Sequence, residues 1–147
     1  MKRLIFILIL LTLFDFCPVQ SKVVGHKIEV CEVTTPLKQL ELNEKNLYQV
    51  MDSLGIHHQD IVMRQAKLES GNFKSKLCVN KHNIFGLRGK KGYYSYPTWI
   101  DCVIAYKNKI QSRYRQGEDY YSFLKRIRYC IKPSYVNSLK KIHVNKK

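Results

Sequence analysis

The stretch Arg64-Gln65-Ala66-Lys67-Leu68-Glu69-Ser70-Gly71-Asn72-Phe73 closes a helical period and opens a turn. Ile61, Val62, Gln65, Ala66 and Leu68 supply inward positions from about Gln59 onward, and Gly71 is a natural C-terminal stop. The pattern predicts a helix over residues 59–70, with Glu69 at its end. A carboxylate there is electrostatically misplaced, because the last carbonyls of a helix carry partial negative charge. The misplacement raises the proton affinity of Glu69, which suits a general acid that must hold its proton near neutral pH. Lys67 and Lys74 pull the other way. A lone helical Glu is more often a solvated surface residue, so its surroundings carry the weight.

Working outward, Asn43 is a good N-cap, followed by Leu47, Val50, Met51 and Leu54 at helical spacing and closed by Gly55. Residues 72–97 read as irregular, with a basic turn at Arg88-Gly89-Lys90-Lys91-Gly92. Tyr93, Tyr94 and Tyr96 then favour a short strand or hairpin arm. Thr98-Trp99-Ile100-Asp101 resembles a capping box and opens a helix to about Arg115. Asp119 caps a further helix through Phe123, Leu124 and Ile127. Pro133 fits the first turn of a last helix carrying Val136, Leu139 and Ile142, and the basic tail from Lys140 to Lys147 is expected to fray. The expected class is α+β, mainly helical, with a small β element.

The N-terminus reads as an export signal. Lys2 and Arg3 precede an apolar run from Leu4 to Phe14, and Val19-Gln20-Ser21 offers a cleavage site. The run is too short to span roughly 30 Å of hydrocarbon, so no stable membrane insertion is expected after cleavage. Residues 1–21 are therefore set apart as a signal peptide, and the chain is expected to be secreted or periplasmic. Residues 22–42 form an N-terminal extended segment, in which Lys27 to Val33 alternates like a short strand. The chain beyond Ser21 is long enough for one compact domain with a core of its own.

The net charge of +15 attracts polyanions, whether nucleic acid, anionic lipid or cell-wall polymer, and does not choose among them. Cys31, Cys78, Cys102 and Cys130 are compatible with two disulfides in three connectivities, and at least one is expected in an exported chain. No CxxC pair occurs. His26, His57, His58, His82 and His143 show no ligand spacing, so neither a metal nor another cofactor is expected. Cys78 near His82 suggests a cysteine peptidase only weakly, since thiol pairing is the more ordinary explanation.

Context raises the weight of Glu69. Downstream come Asn83-Ile84-Phe85-Gly86-Leu87, then the aromatic cluster Tyr93, Tyr94, Tyr96 and Trp99, then Arg128-Tyr129-Cys130-Ile131-Lys132-Pro133-Ser134-Tyr135. Aromatic faces stack on sugar rings, although each such ring taken singly is more often core. In this order the motifs resemble the glucosaminidase domain of glycoside hydrolase family 73, which includes flagellar-rod peptidoglycan hydrolases and autolysins. The resemblance runs from about Asp60 to Ile142. With Glu118 to Tyr121 ahead of the last motif, it is most similar to compact secreted Bacteroidetes members. It implies a lysozyme-like glucosaminidase domain over residues 43–147 and cleavage of the β-1,4 bond after N-acetylglucosamine in peptidoglycan. Glu69 matches the family's catalytic acid and Tyr129 its cleft tyrosine. Asn83 and Phe85 match the motif beside the acid, and Tyr135 a packed tyrosine. Tyr96 and Trp99, from the aromatic cluster, join Asn83, Phe85 and Tyr135 as expected substrate-binding residues.

Two departures stand out. The family's Gly-Tyr-Ala and Asp-Pro appear here as Arg128-Tyr129-Cys130 and Lys132-Pro133, implying a more basic cleft rim and a cysteine open to pairing. Many members carry a second carboxylate on the hairpin, whereas no Asp or Glu lies between Glu69 and Asp101 here. Asp101 itself falls in a capping position and reads as structural. Glycosidases ordinarily use two carboxylates. Three routes therefore stay open: the substrate's N-acetyl group as internal nucleophile, Glu69 as both acid and base with an anhydro product, or Asp101 nearer the cleft. The first is preferred, with Tyr129 positioning the sugar or stabilising developing charge. The expected partner is the peptidoglycan glycan strand, with no specific nucleic acid. The rival readings are a non-catalytic cationic binder of glycan and a protein acting on membranes or nucleic acid by charge alone.

Overall fold

The structure is a computed structural model and describes residues 40–145. The expected export signal and the segment at 27–33 expected to alternate lie outside the described residues.

Helix α1 (Glu44–Ser53) starts where Asn43 Oδ1 accepts from the Asn46 N–H at 2.9 Å, a cap worth about 1 kcal/mol. It ends at Leu54, and Gly55 follows in the left-handed region. Helix α2 (Gln59–Glu69) comes next, with Ser70 as its C-cap. The backbone then stays left-handed through Gly71, Asn72 and Phe73, reversing the chain directly after Glu69. Ser70 Oγ accepts from the Phe73 N–H at 2.8 Å and holds that reversal.

A short helix α3 (Lys76–Lys81) lies within the stretch expected to be irregular. Six residues with little periodicity give no sequence signal beyond Ser75, whose hydroxyl accepts from the Cys78 N–H. The expected hairpin is present and minimal: β1 (Arg88–Gly89) pairs antiparallel with β2 (Gly92–Tyr93), Arg88 opposite Tyr93. Helix α4 (Trp99–Lys109) opens on the expected capping box. Asp101 Oδ2 accepts from the Thr98 N–H at 2.9 Å, and the Asp101 N–H donates to Thr98 Oγ1 at 3.2 Å. It stops short of Arg115, because the chain tightens into a 3₁₀ turn at Gln111–Arg113. Helix α5 (Tyr120–Arg126) is capped by Asp119 as expected, and α6 (Tyr135–Lys141) begins two residues beyond Pro133.

The class is mainly helical α+β. Helix α2 packs against α1 and α6, and α1 also meets α4. Between them Leu47, Met51, Val62, Met63, Tyr106, Phe123 and Leu139 are fully buried. The tail is tied down as far as Asn145 rather than frayed. The α2 side chains Arg64 and Lys67 donate to the Lys140 and His143 carbonyls at 3.1 and 2.7 Å. The Asn145 N–H donates to Glu44, which also pairs with Lys67. Cations on α2 thus meet carbonyls at the end of α6 and just beyond it. Cys78 and Cys102 are buried free thiols and Cys130 is a half-buried one. Cys31 lies outside the described residues, so its expected pairing does too.

Candidate active site

The left-handed turn at 71–73 releases the chain from α2 and leaves Glu69 half-buried on the wall of an open cleft of about 610 Å³. The loop 83–87 lines the same cleft through Phe85, Gly86 and Leu87. Gly86 has φ +62°, and a Cβ there would stand 3.1 Å from Glu69 Oε2. Glycine is thus needed at this position twice, for its backbone conformation and for the close approach of the carboxyl.

The chemistry of Glu69 is set by opposing influences. Burial pushes its proton affinity up, and this effect prevails. The Tyr135 hydroxyl, donating to Oε1 at 2.8 Å, and the positive charge of Lys132 both oppose it. Neither opposing group is one of the lysines flanking Glu69 in sequence, and Lys67 is turned away to Glu44 and the chain's tail. The result is a carboxyl group with raised affinity for its proton, open to a cleft large enough for sugar rings.

Among the described residues lining that cleft, Glu69 is the only carboxylate. Arg88, Arg113, Arg128 and Lys132 line it as well. The basic rim expected from the departures is therefore present. A second cavity of about 480 Å³ shares Arg128, Cys130, Ile131 and Lys132 with the first and continues to Tyr135 and Val136. Tyr93 lines the cleft, is 51% exposed and carries the Arg88 guanidinium 5.5 Å from its ring centroid. It is the aromatic best presented to a ligand, in place of the Tyr96 and Trp99 expected from the sequence.

The expected site residues fall into two groups. Phe85, Tyr129 and Tyr135 gather around Glu69. Phe85 lines the cleft and stacks on Tyr106 with centroids 4.2 Å apart. Tyr129 donates its hydroxyl proton to the Phe85 carbonyl at 2.7 Å and stacks on Tyr135 at 5.9 Å. Burial keeps the Tyr129 phenol protonated, so it braces the cleft wall with its single donor in use.

Asn83, Tyr96 and Trp99 are outside the cleft lining. Asn83 is fully buried. Its amide donates to the Leu87 and Tyr94 carbonyls at 2.8 and 2.9 Å and accepts from the Leu87 N–H at 2.8 Å. It braces the loop that carries Phe85 and Gly86. Trp99 is buried and donates to the Leu40 carbonyl at 2.8 Å. Tyr96 packs against the core, and burial pushes its phenol up to about 12. Gly86 and Tyr93 line the cleft although the motif and the aromatic cluster that contain them do not single them out, and Arg113 lines it from outside every motif. Which member of a motif or of an aromatic cluster meets the cleft is decided only when the fold sets them beside Glu69.

A family model described as Glucosaminidase, mannosyl-glycoprotein endo-beta-N-acetylglucosaminidase, matches residues 44–147, from the first residue of α1 onward. No curated protein and no solved structure matches the chain.

Proposed function

The chain belongs to the glucosaminidase family, and from that premise we propose that it is a secreted glycoside hydrolase cutting peptidoglycan strands at the β-1,4 bond after N-acetylglucosamine. The observation that carries this reading is the single carboxyl, Glu69, half-buried with raised proton affinity in an open cleft. Protonated Glu69 gives its proton to the leaving glycosidic oxygen, while Tyr93 offers a face to a sugar ring. The basic rim suits a strand whose stem peptides carry free carboxylates. The leader-like residues 1–21 support export to such a substrate.

With Asp101 engaged in its capping box, the third mechanistic route loses its support. The substrate's N-acetyl oxygen is the preferred internal nucleophile, forming an oxazolinium species that water then opens. Mass spectrometry of the released glycan ends tests the route, since reducing termini fit it and anhydro termini favour Glu69 as both acid and base. Comparing wild type with Glu69→Gln on purified sacculi tests the enzyme reading itself. A loss of about 10²–10⁴-fold in product release is expected. Release by the two proteins that is equal and no greater than a protein-free blank rejects the hydrolase and favours the glycan binder.

A further inference from the structure

Glu69 sits at one end of a line of buried polar side chains that crosses the core. Beyond Tyr135, Gln65 Nε2 stands 3.4 Å from the Tyr135 hydroxyl, and Tyr106 donates to Gln65 Oε1 at 2.7 Å. The Tyr106 and Tyr120 hydroxyls are 2.8 Å apart, and Gln111 Nε2 donates to Tyr120 at 2.7 Å. Gln65, Tyr106 and Tyr120 are at most 1% exposed, and Gln111 and Tyr135 are 7% and 8% exposed.

One end of this line is oriented by a backbone unit. Gln111 Oε1 accepts from the His57 N–H at 3.1 Å, and Gln111 Nε2 donates to the His57 carbonyl at 3.0 Å. A backbone N–H only donates and a carbonyl only accepts, so the Gln111 amide has one possible orientation. Its remaining hydrogen must go to Tyr120. A tyrosine has one hydroxyl hydrogen. In the Tyr106–Tyr120 pair Tyr120 is the donor, because the hydrogen of Tyr106 goes to Gln65 Oε1 at 2.7 Å. That turns the Gln65 amino group toward Tyr135 and leaves the Tyr135 hydrogen for Glu69 Oε1.

We propose that Gln65 is a positioning residue for the acid, the central link of a one-way donor chain from Gln111 through Tyr120, Tyr106, Gln65 and Tyr135 that ends on Glu69 Oε1. The assignment rests on the reading of Glu69 as general acid. With Oε1 permanently occupied as an acceptor, the transferable proton resides on Oε2, the oxygen over Gly86. Successive donors polarise one another, so each link strengthens the hydrogen bond that Tyr135 gives the carboxylate. The chain thus stabilises ionised Glu69, against burial, and holds the carboxyl plane in one orientation.

The other groups facing Glu69 are Lys132 and Tyr129, with Arg88, Arg113, Arg128 and Cys130 lining the same cleft. None of them is a member of the chain. A change at Gln65 that alters the titration of Glu69 therefore reports on the chain rather than on these charges.

The test tracks the Glu69 carboxyl carbon by NMR in full-length protein as pH is varied, which needs no substrate turnover. Tyr135→Phe is expected to move the midpoint upward. Gln65→Met is expected to move it the same way by a smaller amount, at least about 0.2 pH unit. The double variant should match Tyr135→Phe alone, because the inner link acts only through Tyr135. Tyr120→Phe, which keeps the Tyr106 donor in place, should move the midpoint least and serves if Gln65→Met does not fold. The basic limb of hydrolysis should shift in parallel with these midpoints. The proposal is overturned if Gln65→Met and Tyr120→Phe titrate like wild type while Tyr135→Phe shifts, or if the double variant shows additive shifts. Failure of the hydrolase reading shows instead as product release by wild type and Glu69→Gln alike at the level of a protein-free blank, and leaves the carboxyl titration interpretable.

Discussion

At Glu69 the needs of folding and of the proposed catalysis diverge. Its folded-state proton affinity is raised, chiefly by burial. Below the ordinary carboxylate range both folded and unfolded chains hold this proton, and the group costs no stability. As pH rises, the unfolded chain releases the proton first, so stability falls between the unfolded value and the raised folded one. Glu69→Gln cannot ionise. It is expected to melt above wild type at pH 7, with the difference vanishing near pH 4, as read by paired thermal melts. Gly86 makes a second test at this scale. Gly86→Ala puts a methyl 3.1 Å from Oε2 on a backbone at φ +62°. A loss of about 1–3 kcal/mol in urea unfolding is expected from the backbone. Displacement of the carboxyl should lower kcat by about 10–10²-fold while KM changes little.

At the scale of elements, the site depends on how the loop 83–87 is braced between α3 and β1. Three hydrogen bonds from Asn83 hold this loop against Leu87 and Tyr94. Asn83→Ala leaves buried backbone groups unpaired, so a loss of about 2–4 kcal/mol in urea unfolding is expected. Amide exchange at Leu87 and Tyr94 should accelerate with it. A residue that bound only substrate would raise KM and leave both measurements unchanged. The caps at Asn43, Thr98 and Asp119 were readable because each acts within three residues of itself. The short α3 and the early end of α4 were not. The first lacks periodicity, and the chain beyond the second tightens where Gln111 turns to His57, 54 residues away.

For the whole molecule, four of the chain's 26 Lys and Arg residues, Arg88, Arg113, Arg128 and Lys132, line one cleft with a single carboxylate among its described residues. Raising salt from about 50 to about 500 mM should slow digestion of peptidoglycan by about tenfold, because screening shortens the reach of the cleft's field. Neutral chitin oligosaccharides should show little change. Equal salt dependence on both substrates would assign the charge to general solubility. Thiol chemistry should also obey the fold. Burial pushes the Cys102 thiol up to about 11 and that of Cys78 upward too. Cys130 stands half-buried at the cleft. Of these three, iodoacetamide is expected to label Cys130 first in native protein, and the other two only on unfolding, as mass spectrometry would read.

The amino-acid order was enough to show that a helix ends on Glu69, that capped helices flank a small hairpin, and that the chain is strongly basic. Those properties are local: a cap, a period and a charge count need only near neighbours. The tertiary structure alone decided what faces Glu69. Tyr135 reaches it across 66 residues, Lys132 replaces the nearby lysines as its cation, and Gln65 proves to be buried wiring rather than one more helical position. It also turned Asn83, Tyr96 and Trp99 into supports and left Tyr93 at the cleft. A side chain's partner depends on how helices pack, and packing is settled by the burial of the whole apolar surface at once.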